Sequence, residues 1–260
     1  MTKMSNDSRS DNRPEPLKNR EDWVIQGRVR DEGLKREKIR GMSNGAFWSA
    51  EELIEKKVIY AGMRQRDILN SFRELRFRLL KKSKSDNVVI LVSSLVEGGG
   101  GSLVAFNLAA TFALDLQKTA LYIDCNPHSS NSDIYVSGVV DRGLQQYLEE
   151  YDIELENIIY PSGLERLRVI PSGDSGNSAA EFFNSKRMEM LISEVKNRYP
   201  DRFIVLDAPS VQYSTEARII AQFCDYAVLV VPFGASTTAD ILAAVDAVGE
   251  ERFAGLVFNH

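Results

Sequence analysis

The sequence has few cysteines, few prolines and no long apolar run, and these shortages exclude several classes of protein. Its 2 cysteines, Cys125 and Cys224, lack metal-type spacing, so we expect free thiols in a reducing cytosol and no structural disulfide. The most apolar stretch, residues 105–114, is interrupted by Asn107 and is too short to span a bilayer. The first residues contain no apolar signal-peptide core. We therefore expect a cytoplasmic protein whose membrane contact goes through a partner.

Charge is modest and unevenly distributed along the chain. The net charge is -5, but residues 1–40 carry +3 and the remainder carries -8. A nucleic-acid-binding domain would be clearly basic, so we expect no nucleic-acid partner. The basic segment also lacks hydrophobic periodicity, apart from the cluster Trp23–Ile25. We predict a polar, disordered tail over residues 1–45.

A helical lead-in is predicted over residues 46–86. Its first helix begins at Ser49, because a glutamate stands three residues after this candidate N-cap serine. A second helix covers residues 67–82. Its apolar residues recur on one face and are Ile68, Phe72, Leu75 and Leu79. With basic residues around that face, the helix either covers the core and exposes a solvated basic side, or forms a docking or anionic-lipid surface.

From residue 87 to residue 260 the chain alternates short apolar runs with helical stretches. The apolar runs predict buried strands at Val88–Val92, Ala120–Ile123, Leu167–Ile170, Phe203–Leu206, Ala227–Val231 and Leu256–Phe258. The stretches between them predict helices at Leu103–Leu116, Leu144–Glu150, Ala179–Arg198, Glu216–Gln222 and Ala239–Val248. This alternation indicates an α/β fold with a doubly wound, mainly parallel sheet flanked by helices. Ligands of such sheets bind at the carboxyl ends of the strands.

A glycine-rich segment joins the first predicted strand to the helix after it. It consists of Gly98, Gly99, Gly100, Gly101, Ser102 and Leu103. Such a turn presents backbone N–H groups and the positive end of the helix dipole, which together bind phosphate. A flexible connector is the alternative, but the flanking strand and helix favour a phosphate site. We predict that these six residues bind nucleotide.

The spacing S-S-x-x-x-G-x-G-x-S-x-x-x-x-N-L-A resembles the Walker A segment of bacterial tyrosine kinases and their ParA/MinD relatives, which are P-loop proteins. In that family the segment resembles S-x-x-P-G-E-G-K-S-T-x-x-x-N-L-A. Anchored on Asn107, the resemblance places Gly101 at the phosphate-binding lysine and Val96 at the lysine that ParA-type loops carry earlier. Ser102 keeps the hydroxyl that would coordinate Mg²⁺, and Leu103 replaces a threonine. The resemblance thus implies a degenerate Walker A motif.

Two acidic elements of the family follow later strands. The family's D-x-D-x-R becomes D-C-N-P-H from Asp124 to His128, so Asn126 replaces the second carboxylate. The family's Walker B element, an apolar run followed by D-T-P-P, becomes D-A-P-S from Asp207 onwards. The resemblance implies ATP or ADP with Mg²⁺ held near Ser102, Asp124 and Asp207; the alternative, given the altered loop, is that no cofactor binds. The same two aspartates are the catalytic candidates if the chain is active.

The resemblance covers roughly residues 49–260 and includes the helix through which the family forms rings. The family's E-x-x-R-x-L-R becomes N-S-F-R-E-L-R, so Asn70 replaces the glutamate that pairs with the arginines at Arg73 and Arg76. A T-E-A stretch after Walker B is kept at residues 215–217. We expect a monomer, or a complex with a partner that supplies acidic groups.

The resemblance implies a protein of bacterial exopolysaccharide or capsule biosynthesis. Its partner would be a membrane polysaccharide copolymerase, or chain-length determinant, at the inner face of the plasma membrane. Loss of the lysine and of one aspartate implies impaired catalysis, because phosphoryl transfer depends on positioned charge. An active ATPase or tyrosine autokinase of the same pathway is the alternative, and a ParA-like positioning ATPase is a third. His128 is interpreted as a surface histidine, and Cys125 as unreactive because neighbouring acid raises its pKa.

Overall fold

The computed structural model describes residues 46–83, 87–128, 132–173, 179–198 and 202–260. The disordered tail predicted for residues 1–45 lies outside these ranges. Across the ranges described, no helix is long and apolar enough to cross a membrane.

The described residues form a seven-stranded sheet with helices on both faces. Its strands are Val89–Ser94 (β1), Thr119–Asp124 (β2), Tyr160–Pro161 (β3), Leu167–Ile170 (β4), Arg202–Ala208 (β5), Tyr226–Pro232 (β6) and Phe253–Asn259 (β7). The helices are Ala50–Glu55 (α1), Arg66–Lys82 (α2), Gly101–Ala113 (α3), Leu144–Glu149 (α4), Ala179–Phe183 (α5), Lys186–Arg198 (α6), Thr215–Ala221 (α7) and Thr238–Val248 (α8). The strand order is β3-β4-β2-β5-β1-β6-β7, parallel except for β3. The predicted doubly wound fold is confirmed.

The central strands are buried on both faces of the sheet, which explains their continuous apolar sequences. Every residue of β1, β2 and β5 is buried. In β1, Val89 and Leu91 belong to one core cluster, while Ile90 and Val92 belong to the cluster on the opposite face. This alternation follows from the two-residue repeat of a strand. The carboxyl ends of these strands provide a rigid edge for the loops that follow them.

The lead-in helices pack on the face of the sheet that carries α3. The side chain of Ser49 caps α1 in a reciprocal capping box with Glu52, as predicted. The amide of Asn107 on α3 accepts from the Ile59 N–H at 2.7 Å and donates to the Lys57 carbonyl at 3.0 Å. Asn107, the residue on which the family motif was aligned, therefore links the lead-in to α3 through two hydrogen bonds.

The predicted core face of α2 is wrong at one position. Ile68 is 50% exposed, whereas its neighbour Leu69 is buried together with Leu79. The buried stripe of α2 therefore runs through Leu69 and not through Ile68. On the same helix, the Arg76 guanidinium reaches the α3 backbone and donates to the Thr111 carbonyl at 2.8 Å, while its Nε is buried without a hydrogen-bond partner among the described residues.

Two local features differ from the sequence-based expectation. The helix predicted over 179–198 is two helices, with a break at Asn184 and Ser185. The Ser185 hydroxyl accepts from the Met188 N–H at 3.3 Å and so supports the start of α6. The short strand β3 was not predicted, because two residues pairing antiparallel with β4 leave no periodic signal.

Candidate functional site

The glycine-rich segment lies between the end of β1 and the first turn of α3. Gly98 has a φ of +68° and Gly100 a φ of +86°, in the left-handed region that favours glycine. At Gly99 a Cβ atom would lie 2.1 Å from the Ser94 Oγ and 2.7 Å from the Pro232 Cγ. The loop conformation therefore requires these glycines, which argues against a merely flexible connector.

The loop leads into the amino terminus of α3, a helix of 13 residues. The backbone N–H groups of Gly101, Ser102 and Leu103 lie in its first turn, where no intrahelical acceptor exists. The positive end of the helix dipole adds to these donors. All three residues, with the glycines before them, line a cavity of about 750 Å³. The geometry is that of an anion site.

The opposite wall of the cavity comes from the segments after β2 and β5. Asn126 and His128 follow β2, and the turn from Pro209 to Glu216 follows β5. Within the described ranges, no lysine or arginine lines the cavity; its charged side chains are Glu97, Glu216 and, when protonated, His128. The His128 Nε2 lies 3.7 Å from a Glu216 carboxylate oxygen, and its side chain is 64% exposed. The cavity thus offers phosphate backbone donors with little side-chain cation.

Gly101 occupies the position that the resemblance assigns to the missing lysine. A Cβ atom there would lie 3.1 Å from the Ser94 backbone nitrogen and 3.3 Å from its Cβ. These contacts are tight, so a side chain at this position requires its neighbours to shift by a few tenths of an ångström.

Asn259, at the end of β7, packs against the glycine-rich loop and forms a hydrogen bond to it. Its Nδ2 donates to the Gly99 carbonyl at 3.1 Å and fills the space beside Gly100. Sequence reasoning missed this residue. Its signal was a polar side chain at the carboxyl end of a strand, on the same edge as the loop.

Two serines, Ser93 in β1 and Ser210 after β5, join β1 to the turn after β5. The Ser93 hydroxyl donates to the Pro209 carbonyl at 2.7 Å and accepts from the Val211 N–H at 3.0 Å. The Ser210 hydroxyl donates to the Leu95 carbonyl at 2.6 Å. These bonds fix the two walls of the cavity relative to each other, so the serine at 93 in the motif has a structural role.

The two predicted acids meet at the ends of β2 and β5. Asp124 and Asp207 are paired residues in the parallel register, and both are buried. Burial raises the pKa of both carboxyl groups, and the charge of Asp207 adds to the rise at Asp124. The Asn126 N–H donates to Asp124 Oδ1 at 2.9 Å and opposes that rise. Neither acid is among the residues that line the cavity.

The two carboxylate oxygens of Asp207 differ in their hydrogen bonding. Its Oδ2 accepts a hydrogen bond of 2.7 Å from the Tyr122 hydroxyl. Its Oδ1 is buried and has no hydrogen-bond partner in the part of the chain described. The hydroxyl groups of Ser102 and Tyr122 nevertheless lower the pKa of Asp207 against the effect of burial. Tyr122 was not predicted as a site residue.

Oxygen donors of this kind suit Mg²⁺, which prefers a few protein oxygens together with phosphate and water. The unpartnered Oδ1 of Asp207 and the Ser102 hydroxyl fit such an ion. Asp124 fits less well, because its Oδ1 already accepts the Asn126 N–H. The described residues contain no cluster of three or more His, Cys, Asp or Glu that could hold a metal. Any Mg²⁺ would depend on nucleotide oxygens for most of its ligands.

The predicted free thiols are confirmed, since Cys125 and Cys224 are both unpaired and buried. Burial is the larger cause of the raised pKa of Cys125, and the charge of Asp124 adds to it. A high thiol pKa leaves little reactive thiolate. We therefore assign no chemical role to the thiol of Cys125, although it is adjacent to Asp124.

Comparison with known proteins supports the resemblance inferred from the motifs. No family model matches the chain. The tyrosine-protein kinase CpsD of Streptococcus agalactiae is 28% identical over 181 residues, which cover 68% of this chain and 77% of the relative. The kinase domain of the Escherichia coli tyrosine kinase ETK superposes with a TM-score of 0.68 at 21% identity, covering 86% of this chain and 92% of that one.

The fold is also shared with ParA/MinD-type proteins. MinD in the MinC:MinD cell division complex of Aquifex aeolicus has a TM-score of 0.54 at 20% identity, and the match covers 66% of this chain and 68% of that one. The predicted resemblance to bacterial tyrosine kinases and to ParA/MinD-like P-loop proteins is confirmed. These likenesses define the fold and the relatives of the chain.

Proposed function

We propose that this chain is a catalytically impaired relative of bacterial tyrosine kinases that binds ADP or ATP with Mg²⁺ and acts as a regulator. The observation that carries the proposal is the cavity at the start of α3. Its backbone donors are arranged for phosphate, yet no lysine or arginine lines it among the residues described. Binding through N–H groups survives such a loss, whereas phosphoryl transfer needs the charge.

The energetic cost of lacking a lysine supports the proposal that nucleotide binding is retained while phosphoryl transfer is impaired. A hydrogen bond to a charged group contributes about 1.5–3 kcal/mol, so nucleotide binding is weakened but not abolished. Removing one positioned donor from a transition state costs roughly 10²–10³ in rate. Asn126, where the family has a second aspartate, removes a further charge from the site. Glu97 and Glu216 in the lining do not compensate for either loss.

The pathway and the partner follow from the relatives. We infer a role in exopolysaccharide or capsule biosynthesis, at the inner face of the plasma membrane, with a membrane copolymerase as partner. The outer side of α2 suits a protein partner, because Arg73, Phe77 and Leu80 are exposed there at helical spacing. A partner with acidic and apolar groups would match this face better than a second copy, in which Asn70 offers no carboxylate.

An active tyrosine kinase is the second candidate, favoured by the names of the relatives. Two assays on the full chain separate the candidates: ADP binding by calorimetry and ATP turnover with tyrosine phosphorylation. We expect ADP binding in the micromolar range or weaker and no turnover above background. Turnover of about 1 s⁻¹, at the low end of ordinary enzymes, would establish the kinase instead. Absence of any nucleotide binding would contradict both candidates.

A further inference from the structure

Tyr122 is the one residue of β2 whose side chain bonds to the candidate Walker B carboxylate. Its hydroxyl donates to Asp207 Oδ2 at 2.7 Å. The tyrosine is 1% exposed, so the hydroxyl has no access to solvent as an alternative partner. A buried phenol needs a hydrogen-bond acceptor, and here the acceptor is an acid of the candidate site.

The strand register explains why this contact forms. Asp124 pairs with Asp207 across β2 and β5, and Tyr122 pairs with Val205. Residues two positions apart on a strand share a face, so Tyr122 lies diagonally across from Asp207 on the α3 side of the sheet. That diagonal is long enough that a tyrosine reaches the carboxylate where an aliphatic side chain would end short of it.

The tyrosine ring is fixed by its own packing. It meets the Phe106 ring edge-on at 5.4 Å between centroids and the Tyr135 ring edge-on at 6.0 Å. Phe106 belongs to α3, the helix that carries Ser102, so the ring is held by the same element as the phosphate loop. The hydroxyl position is therefore set by the core and not by the loop.

We infer that Tyr122 is a positioning residue for Asp207. By occupying Oδ2, it fixes the carboxylate so that the buried Oδ1 remains free to hold, through a water molecule, a magnesium ion bound with nucleotide. This inference rests on the proposed function, because it assigns a role in the same site. It predicts that the hydroxyl of Tyr122 controls how strongly Mg²⁺ enhances nucleotide binding, with little effect on binding of the nucleotide alone.

The test compares ADP affinity with Mg²⁺ and with EDTA for three forms of the full chain: wild type, Tyr122→Phe and Tyr135→Phe. Tyr122→Phe keeps the ring and removes only the hydroxyl. We expect it to reduce the Mg²⁺ enhancement about five- to tenfold, in line with the loss of a bond to a charged group. Tyr135→Phe is the matched control, since its ring stacks on Phe106 at 3.7 Å and the structure shows no bond from its hydroxyl to Asp207 within the described residues.

A double-mutant cycle with Asp207→Asn separates positioning from a general loss of structure. If Tyr122 acts through Asp207, Tyr122→Phe has no further effect on the Mg²⁺ enhancement in the Asp207→Asn background. An equal enhancement in wild type and Tyr122→Phe would overturn the inference while the proposed nucleotide binding stands. A wild type that binds no ADP would overturn the proposed function and this inference with it. Thermal melting of each variant shows whether a reduced enhancement is only a folding defect, which would also count against positioning.

Discussion

The phosphate loop and the acidic pair lie at the same edge of the sheet, but they are maintained in opposite ways. The loop has almost no side chains, and its form depends on backbone angles and on close contacts with Ser94 and Pro232. The acidic pair keeps both carboxyl groups and buries them at the ends of β2 and β5. The loop is thus defined by its backbone shape, whereas the acidic pair is defined by two carboxyl groups whose burial disfavours their charged form.

This difference bears on which substitutions the fold would tolerate. The glycine at position 101, where the resemblance places a lysine, carries no side-chain charge and continues a loop that is built around glycine. Loss of an acid instead changes the electrostatics of a buried region that contains Tyr122 and Asp124. The comparison predicts that stability depends mainly on the acids, and that affinity for phosphate depends mainly on the loop.

The largest expected effect is the pH dependence of stability that arises from the acidic pair. Burial raises the pKa values of Asp124 and Asp207 in the folded state above their ordinary carboxyl values. A raised folded-state pKa means that the folded protein binds the proton more tightly than the unfolded chain. The resulting stability is fully present below the ordinary carboxyl pKa and is lost as the pH rises through the raised values.

Denaturant unfolding in EDTA, from acidic to mildly alkaline pH, measures this loss. Each unit of raised pKa contributes about 1.4 kcal/mol to the change in the free energy of unfolding. Asp207→Asn should flatten the profile, because one of the two titrating groups is gone. Asp246→Asn, at an exposed position on α8, is the control and should leave the profile unchanged. A wild-type profile as flat as that of Asp207→Asn would show that burial does not raise the pKa values of the two aspartates.

Sequence alone predicted the strands well because the central strands are buried on both faces and read as unbroken apolar runs. It also predicted which residues form the loop and which acids meet below it, since all of them follow strands of a parallel sheet. It missed the contact between Tyr122 and Asp207, because the adjacency of β2 and β5 is not sequential. It placed Ile68 in the core, because Ile68 and Leu69 are adjacent apolar residues and helical spacing alone did not decide which of them faces inward.

The next effect concerns the shape of the loop. Gly99→Ala places a Cβ atom against the Ser94 hydroxyl and the Pro232 ring, and 3.0 Å from the Val96 carbonyl oxygen. Overpacking of this kind costs typically about 2 kcal/mol, so the melting temperature and ADP binding should both fall. Gly62→Ala is the control, since its nearest contact would be an ordinary 3.5 Å from the Tyr60 ring. Equal melting temperatures for the two variants would mean that the loop is less tightly packed than the structure indicates.

The smallest effect, and the sharpest test of the comparison, is to return charge to the loop with Gly101→Lys. The new Cβ meets Ser94 at 3.1–3.3 Å, so its neighbours must shift by a few tenths of an ångström, and the melting temperature should fall less than for Gly99→Ala, whose Cβ contacts are as short as 2.1 Å. A lysine among the first-turn N–H groups of α3 should raise affinity for ADP about tenfold, which corresponds to about 1.4 kcal/mol. Gly101→Met has a side chain of similar length without the charge and should not raise affinity. If both variants bind ADP alike, access or shape limits ADP binding at the site, and the absence of a cation does not. If only the lysine variant binds more tightly and ATP turnover still does not appear, Asn126 becomes the next position to restore, because one acid of the family pattern is still absent.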